Sequence, residues 1–105
     1  MQSKQLALYK AQARIMKALA HTTRLFIVHQ LSNRPHCVNE LTQLIGADTS
    51  TVSKHLTVMR DAGIVDYEKK GTNIYYSLKM PCIMNFFSCA NEILRKNVEE
   101  QMVAI

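Results

Sequence analysis

The feature that most constrains the fold of this chain is a helix-forming segment followed directly by a strand-forming segment. In ADTSTVSKHLTVMRDAG, residues 47–63, apolar side chains recur at helical spacing at Val52, Leu56 and Met59. Residues 64–78, IVDYEKKGTNIYYSL, are rich in β-branched and aromatic residues on both sides of KKGTN, which is typical of a β-hairpin. The chain therefore changes from a helix to a hairpin within a few residues, and the hairpin has a basic tip.

A shorter helix is predicted immediately before this pair. Cys37 and Val38 favour a short extended piece, and Gly46 is a natural stop for the helix that follows. Asp48 or Thr49 can then cap the fourth helix. A short helix, a tight turn and a longer helix rich in hydroxyls form the helix-turn-helix pattern, and the hairpin makes it a winged helix. The apolar residues of the shorter helix are Leu41, Leu44 and Ile45.

Helices are also predicted towards both ends of the chain. Residues 4–20 and the segment from Met80 to about Val103 both have apolar or small residues in steps of three and four. Thr22 or Thr23 can cap a second helix between the first one and the helix-turn-helix. The apolar positions are Leu6, Tyr9, Ala13, Met16 and Ala20 in the first helix, Leu25, Val28 and Leu31 in the second, and Ile83, Phe87, Ala90 and Leu94 in the last.

The predicted architecture is mainly α with a β-hairpin wing, in one winged helix-turn-helix domain over residues 1–105. The helix-turn-helix occupies residues 38–63 and the wing occupies residues 64–79. A chain of 105 residues buries a modest fraction of its surface, and a monomer would leave the stripes of the first and last helices partly exposed. We therefore expect a homodimer joined through residues 1–20 and 81–105.

The chain carries a formal net charge of +5, which favours a polyanionic partner. This charge alone does not distinguish nucleic acid from a membrane surface. No apolar run approaches the length of a bilayer, and the lysines spaced through residues 1–17 argue against a signal peptide. We expect a cytoplasmic protein that does not bind a membrane and whose three cysteines are thiols.

The fourth helix predicts double-stranded DNA as the partner. If its apolar residues face the core, the outward set combines short hydroxyls, a lysine and a histidine in the N-terminal half. A helix in the major groove reads base edges with its first turns, while hydroxyls, lysines and the helix N-terminus suit phosphate. The wing tip could reach an adjacent backbone or minor groove. The predicted DNA-binding residues are Thr49, Ser50, Thr51, Ser53, Lys54 and His55 on the helix, and Lys69, Lys70 and Thr72 on the wing.

From about Ala18 to Leu78 the sequence resembles the ArsR/SmtB family of dimeric winged-helix transcriptional repressors. The stretches that carry the resemblance are ALAHTTRLFIVHQL, VNEL, STVSKHLTVMRDAGIV and GTNIYYSL. The family usually has proline where Thr22 stands. The resemblance implies a repressor that binds operator DNA when free of inducer. It also implies release when a soft metal, a metalloid or a reactive sulfur species reaches the cysteines.

Position matching within that resemblance points to the cysteines as the inducer site. Cys37 matches the first cysteine of the CVCDL-like motif of arsenic- and cadmium-responsive members, whereas Asn39 replaces the second. The last helix has no histidine, so the zinc site of other members is missing. PCIMNFFSC places Cys82 and Cys89 about two turns apart on the last helix.

Thiolates favour soft ions, so we expect an inducer to bridge Cys37 with the last helix, within one protomer or across the dimer. The candidate ligands are Cys37, Cys82 and Cys89. No cofactor is expected to be obligatory. The candidate inducers are arsenite, another thiophilic ion or a reactive sulfur species.

Other interpretations stay open. The same thiols could sense oxidants or persulfide without any metalloid. The protein could also be a winged-helix DNA-binding protein with no inducer, because Cys82, Phe86, Cys89 and Ile93 follow an apolar stripe at helical spacing. His36 beside Cys37 suggests a catalytic pair, but sequence neighbours need not face each other and no third orienting residue is evident. We therefore expect no enzymatic activity.

Overall fold

The computed structural model describes the backbone of residues 1–104 and the side chains of residues 1–99. The predicted dimerisation segment 81–105 thus extends one residue beyond the described backbone. Five helices and three strands are present in the described residues, in the predicted order. They are α1 (Ser3–Leu19), α2 (Thr22–Asn33), β1 (His36–Cys37), α3 (Val38–Ile45), α4 (Thr49–Asp61), β2 (Val65–Lys70), β3 (Asn73–Leu78) and α5 (Ile83–Ala104).

The helix-turn-helix is formed by α3 and α4. Gly46 ends α3 with a left-handed backbone, at φ 79°, which glycine adopts without steric cost. Asp48 then caps α4, so Asp48 is the correct choice between the two predicted caps, and Thr49 is the first helical residue. The three residues from 46 to 48 leave room only for a tight turn between the two helices.

The start of α2 differs from the prediction. Neither Thr22 nor Thr23 caps this helix, because both lie inside it. His21 is the cap, and its Nδ1 accepts a hydrogen bond from the Thr23 backbone N–H at 3.1 Å. The backbone of His21 is extended, as a capping residue requires, and this places the imidazole over the first turn of the helix.

The wing belongs to a three-stranded antiparallel sheet with the strand order β1-β3-β2. β2 and β3 pair from Val65 opposite Leu78 to Lys70 opposite Asn73. β1 adds to the outer side of β3, with Cys37 opposite Tyr75. The short extended piece predicted at Cys37 and Val38 is thus β1, although Val38 already belongs to the helix.

The core lies between α2, α3, α4 and the base of the wing. The three α4 residues predicted to face the core are fully buried. Of the residues predicted for α3, Leu41 is fully buried and Ile45 is partly buried, whereas Leu44 is 53% exposed. Leu44 lies at the edge of the buried face, where it borders an open cleft with Phe26. The fully buried side chains are Ile27, Val28, Leu41, Val52, Leu56, Met59, Ile64 and Val65.

α1 and α5 lie at the edges of this core and leave much apolar surface uncovered. α5 begins at Ile83 and not at Met80, because residues 80–85 first form turns with hydrogen bonds between residues three apart. Among the helices of the described chain, none combines the length and the apolar character needed to cross a bilayer. The large apolar side chains exposed on these two helices are Leu6, Leu8, Tyr9, Met16, Phe86, Ile93, Leu94 and Val98.

Candidate nucleic-acid interface and cysteine positions

The N-terminal end of α4 is capped by a carboxylate. Asp48 accepts hydrogen bonds from the Thr51 backbone N–H at 2.8 Å and from the Ser50 hydroxyl at 3.3 Å. The hydrogen bonding to Thr51 lowers the pKa of Asp48, and the helix dipole favours a negative charge at this end. A phosphate approaching the terminus would meet this negative charge. The geometry therefore does not support the expectation that the helix N-terminus itself binds phosphate.

The exposed side of the N-terminal half of α4 presents hydroxyl groups and one cation, Lys54. Its buried face points to the core, so the opposite side is free for a partner. Side chains of this kind hydrogen-bond to base edges and to phosphates. Of the six predicted α4 residues, the exposed ones are Thr49, Ser50, Thr51 and Lys54, and the partly buried ones are Ser53 and His55.

The ring of His55 turns towards α2, not outward as expected. Nε of Arg24 donates a hydrogen bond to Nδ1 of His55 at 3.1 Å, and the ring centroids of His21 and His55 are 4.6 Å apart. Burial lowers the pKa of His55, and the charges of His21 and Arg24 act in the same direction. Sequence reasoning missed this cluster because Arg24 and His55 are 31 positions apart and no spacing pattern links them.

The tip of the wing is basic and exposed. Lys69, Lys70 and Thr72 are all exposed beside the turn at Gly71, whose φ is 65°. Nζ of Lys70 lies 6.0 Å from the ring centroid of Tyr75, at the outer limit of a cation–π contact. All three predicted wing residues are therefore available to a partner.

Arg60, in the last turn of α4, braces the base of the wing. Its guanidinium carbon lies 4.1 Å from the ring centroid of Tyr67, and its Nε lies 4.0 Å from the Asp66 carboxylate. Tyr67 in turn packs against Tyr76 with the ring centroids 5.6 Å apart. The orientation of the wing is thereby coupled to α4. The only sequence signal for this contact is an arginine that closely precedes an aromatic strand residue.

Cys37 is buried where β1 meets α3, and it caps α3. Its backbone N–H donates to the Glu40 carboxylate at 3.2 Å, while its Sγ accepts the Glu40 backbone N–H. Arg34 donates to the same carboxylate at 2.7 Å. This hydrogen bond is the main reason that the pKa of Glu40 falls to about 2. Cys37 also borders a cleft of about 190 Å³, whose other lining residues are Val38, Asn39, Thr72, Asn73 and Ile74.

Cys82 and Cys89 lie outside the core. Cys82 is in the turn before α5, Cys89 is within α5, and both are exposed. Phe86 and Ile93, predicted to share their stripe, are 56% and 61% exposed. Packing within a single chain therefore does not account for these two cysteines. In the part of one chain that the structure describes, no three His, Cys, Asp or Glu side chains are close enough to hold a metal ion.

Residues 21–67 match the family described as bacterial regulatory protein, arsR family. The chain is 31% identical to the uncharacterized HTH-type transcriptional regulator Rv0081 of Mycobacterium tuberculosis, over 93% of this chain and 87% of that protein. The crystal structure of Rv0081 superimposes with a TM-score of 0.78, covering 90% of this chain and 96% of that one at 32% identity.

Two further relatives bear on metal response and on assembly. The cadmium resistance transcriptional regulatory protein CadC of Listeria innocua is 34% identical over 84% of this chain and 71% of its own length. The solution structure of the homodimeric winged helix-turn-helix DNA-binding domain of Mb0332, from Mycobacterium bovis, is 25% identical and gives a TM-score of 0.83. It covers 95% of this chain and 93% of that one, and it is described as a possible ArsR-family transcriptional regulator.

Proposed function

This chain belongs to the arsR family of bacterial regulatory proteins, which are winged helix-turn-helix transcriptional regulators and not enzymes, and from that premise we propose that it is a homodimeric repressor released from operator DNA through its cysteines. The observation that carries the proposal is the exposed N-terminal half of α4, where three exposed hydroxyl side chains and the exposed Lys54 lie together. α4 would enter the major groove, and the wing tip would contact the neighbouring backbone.

The contacts proposed for DNA divide into two kinds. The exposed hydroxyls of Ser50 and Thr51, with Lys54 one turn further along, are placed to meet base edges and the adjoining phosphates. Lys69 and Lys70 supply charge at the wing tip, which strengthens binding to any sequence. Because Arg60 ties the base of the wing to α4, the two groups of contacts would move together.

The homodimer is supported by the apolar surface of α1 and α5. Tyr9 and Met16 on α1, and Phe86 and Ile93 on α5, are each at least half exposed. Large exposed apolar patches are uncommon on monomers and mark interaction sites, and these exposed side chains are the candidates for such a patch. The related Mb0332 domain is described as homodimeric. A two-fold dimer would favour an operator with inverted half-sites about one helical turn apart, or a multiple of it.

The release of DNA through the cysteine thiols, which we call the thiol gate, is supported by the positions of the cysteines. Cys37 lies in the strand that pairs with β3, and β3 ends at Leu78, four residues before Cys82. A soft ion bound to Cys37 and to α5, of the same or the partner protomer, would pull α5 towards the wing and disfavour the DNA-competent dimer. Arsenite and cadmium are suitable probes because both prefer thiolate ligands. The relative CadC is named for cadmium resistance.

Oxidation or polysulfide linkage of the same thiols is the second candidate. The exposure of Cys82 and Cys89 favours it, because small oxidants and persulfides reach exposed thiols most readily. A response to persulfide with none to arsenite would select this candidate.

The test is a titration of the protein with labelled duplex DNA, selected from a random pool, followed by fluorescence anisotropy. The expected result is tight binding by the reduced protein and release by arsenite, cadmium or a persulfide donor. A reduced protein that binds no duplex more tightly than random DNA would contradict the repressor function. Binding that none of the three reagents reverses would contradict the thiol gate alone.

A further inference from the structure

Three side chains outside the core join α2 to α4 at one point. Nδ1 of His21 accepts the Thr23 backbone N–H at 3.1 Å and caps α2. Nδ1 of His55 accepts Nε–H of Arg24, also at 3.1 Å, and the two imidazole rings are 4.6 Å apart. We name this arrangement the His21–Arg24–His55 junction.

Both imidazoles must be neutral for these hydrogen bonds to exist. A backbone N–H and a guanidinium N–H can only donate, so Nδ1 of each ring has to be the unprotonated, accepting nitrogen. A protonated imidazole carries hydrogen on both nitrogens and accepts from neither donor. Proton uptake by His55 would break its bond to Arg24, and proton uptake by His21 would remove the cap from α2.

Arg24 extends the junction to the end of α1. Its Nη1 donates to the Ala18 carbonyl at 3.3 Å, while its Nε donates to His55. One guanidinium therefore links α1 to the middle of α4. Because arginine stays charged at all accessible pH values, a protonated His55 would face a permanent positive charge.

The charged groups on the elements that pack against α4 are of both signs. Arg14 and Lys17 line a cleft with Arg24, against one carboxylate, Asp61. Burial is the first cause of the lowered pKa of His55, followed by His21 and Arg24. The charged groups are Arg14 and Lys17 on α1, Arg24 on α2, and Lys54 and Asp61 on α4, and the titratable ring of His21 lies at the cap of α2. On the other elements that pack against α4, the ion-paired carboxylates are Glu40 of α3 with Arg34, and Asp66 of β2 with Arg60.

We propose that His21 and Arg24 are positioning residues for DNA recognition, which hold α4 through the neutral ring of His55, and that proton uptake by the junction weakens DNA binding. This inference rests on the proposed DNA-binding function. Lys54 directly precedes His55, so release of the ring would displace a proposed DNA contact on the same turn of α4.

The sign of the pH effect separates this role from a direct contact. If His55 touched a phosphate, acid would add a positive charge and strengthen DNA binding. The junction predicts the opposite. The folded-state pKa of His55 lies below its ordinary value of 6.5. The neutral ring therefore contributes fully to the stability of the folded protein above pH 6.5. That contribution is lost as the pH falls through the lower, folded-state pKa.

The experiment measures the Kd for a selected duplex at fixed ionic strength from about pH 7.5 down to about pH 5.5, the range in which histidine titrates. His55→Gln keeps an oxygen that can accept from Arg24, and His21→Ser keeps a helix cap, but neither replacement titrates. The double variant carries both changes. His29→Gln is the matched control, because it removes an imidazole from α2 that lies outside the junction.

The parent and the control should lose affinity as the pH falls, by up to about tenfold per pH unit for each proton taken up. The double variant should show a much flatter profile, because neither replacement takes up a proton in this range. Arg24→Ala should weaken binding at the upper pH and flatten the profile as well. The thermal unfolding temperatures of the parent and the variants, measured without DNA over the same pH range, should depend on pH in the same order of steepness.

Three results would overturn the positioning role. Affinity of the parent that rises or stays constant in acid would favour a direct contact or no contact. A double variant that declines as steeply as the parent would assign the titration to another group. Variants that change thermal stability but not DNA affinity would reduce the junction to a structural role. Absence of binding by the parent at the upper pH would overturn the DNA-binding function itself, together with the inference.

Discussion

Cys37 and Glu40 cap the first turn of α3 reciprocally. The Sγ of Cys37 accepts the Glu40 backbone N–H, and the Glu40 carboxylate accepts the Cys37 backbone N–H at 3.2 Å. Satisfying two otherwise unpaired N–H groups stabilises the start of a helix. The sulfur proposed to bind an inducer is therefore also a structural part of the helix-turn-helix, and its chemistry cannot change without an effect on α3.

Glu40→Gln should make stability less dependent on pH in acid. Glutamine retains the oxygen that caps α3 but loses the charge that pairs with Arg34. Since the pKa of Glu40 falls from 4.5 to about 2 on folding, its carboxylate stabilises the fold above 4.5, and this contribution disappears as the pH falls towards 2. When the free energy of unfolding is measured with urea at several pH values in that range, it should change less steeply with pH for the variant than for the parent. The control is Glu92→Gln, an exposed carboxylate on α5, and an equal slope in both variants would refute the prediction.

Lys54→Ala and Lys70→Ala should each weaken DNA binding and lower the salt dependence. Removing one phosphate contact reduces the slope of log K against log salt by about 1. Lys79→Ala removes the same charge at the base of the wing, roughly 20 Å along the strand from its tip, and should leave the slope nearly unchanged. Equal slopes in all three variants would show that net charge and not position governs binding.

The spacing of hydrophobic residues predicts most of this fold, because the residues that must be buried in the core recur at the period of the helix that buries them. Leu56 and Met59 recur at helical spacing and are fully buried, and the glycines at 46 and 71 end a helix and form a hairpin turn where predicted. These are local signals, since each depends on a few neighbouring residues. Helix starts are less predictable, because the cap depends on the backbone of one residue. An extended His21, and not either threonine, caps α2.

Contacts between distant elements escape sequence reasoning for a physical reason. The orientation of His55 depends on Arg24, which approaches it only after α2 and α4 have packed. Arg60 finds Tyr67 in the same way, across the boundary between α4 and the wing. The spacing of apolar residues correctly places His55 on α4, but it cannot predict that Arg24 donates a hydrogen bond to the ring.

Tyr9→Glu and Phe86→Glu should each shift the protein towards monomer. Both side chains are more than half exposed on the helices proposed to form the dimer, and a carboxylate there would be buried without a partner. Sedimentation at micromolar concentration should report a lower mass for these variants than for the parent. Leu44→Glu is the control, because Leu44 is similarly exposed but lies on α3. A parent that sediments as a monomer would contradict the proposed dimer.

The two kinds of thiol gate predict different patterns among the cysteine variants. If arsenite bridges Cys37 to the cysteines of the last segment, removal of either side destroys the bridge, because a bridge needs a thiolate ligand at each end. If oxidants act on the exposed pair alone, Cys37 is dispensable. Cys37 also caps α3, so its replacement must preserve the cap, and serine does so.

Cys37→Ser should therefore bind DNA like the parent but resist release by arsenite, and Cys82→Ser or Cys89→Ser should do the same. Anisotropy titrations of preformed DNA complexes with arsenite, and in parallel with a persulfide donor, measure the release. Release by the persulfide donor that is lost only in the Cys82 and Cys89 variants, with no release by arsenite, would select the thiol redox gate, since Cys82 and Cys89 are exposed and Cys37 is buried. Three variants that all release DNA at parental reagent concentrations would leave the cysteines without a sensing role. The exposure of Cys82 and Cys89 would then serve the dimer interface alone.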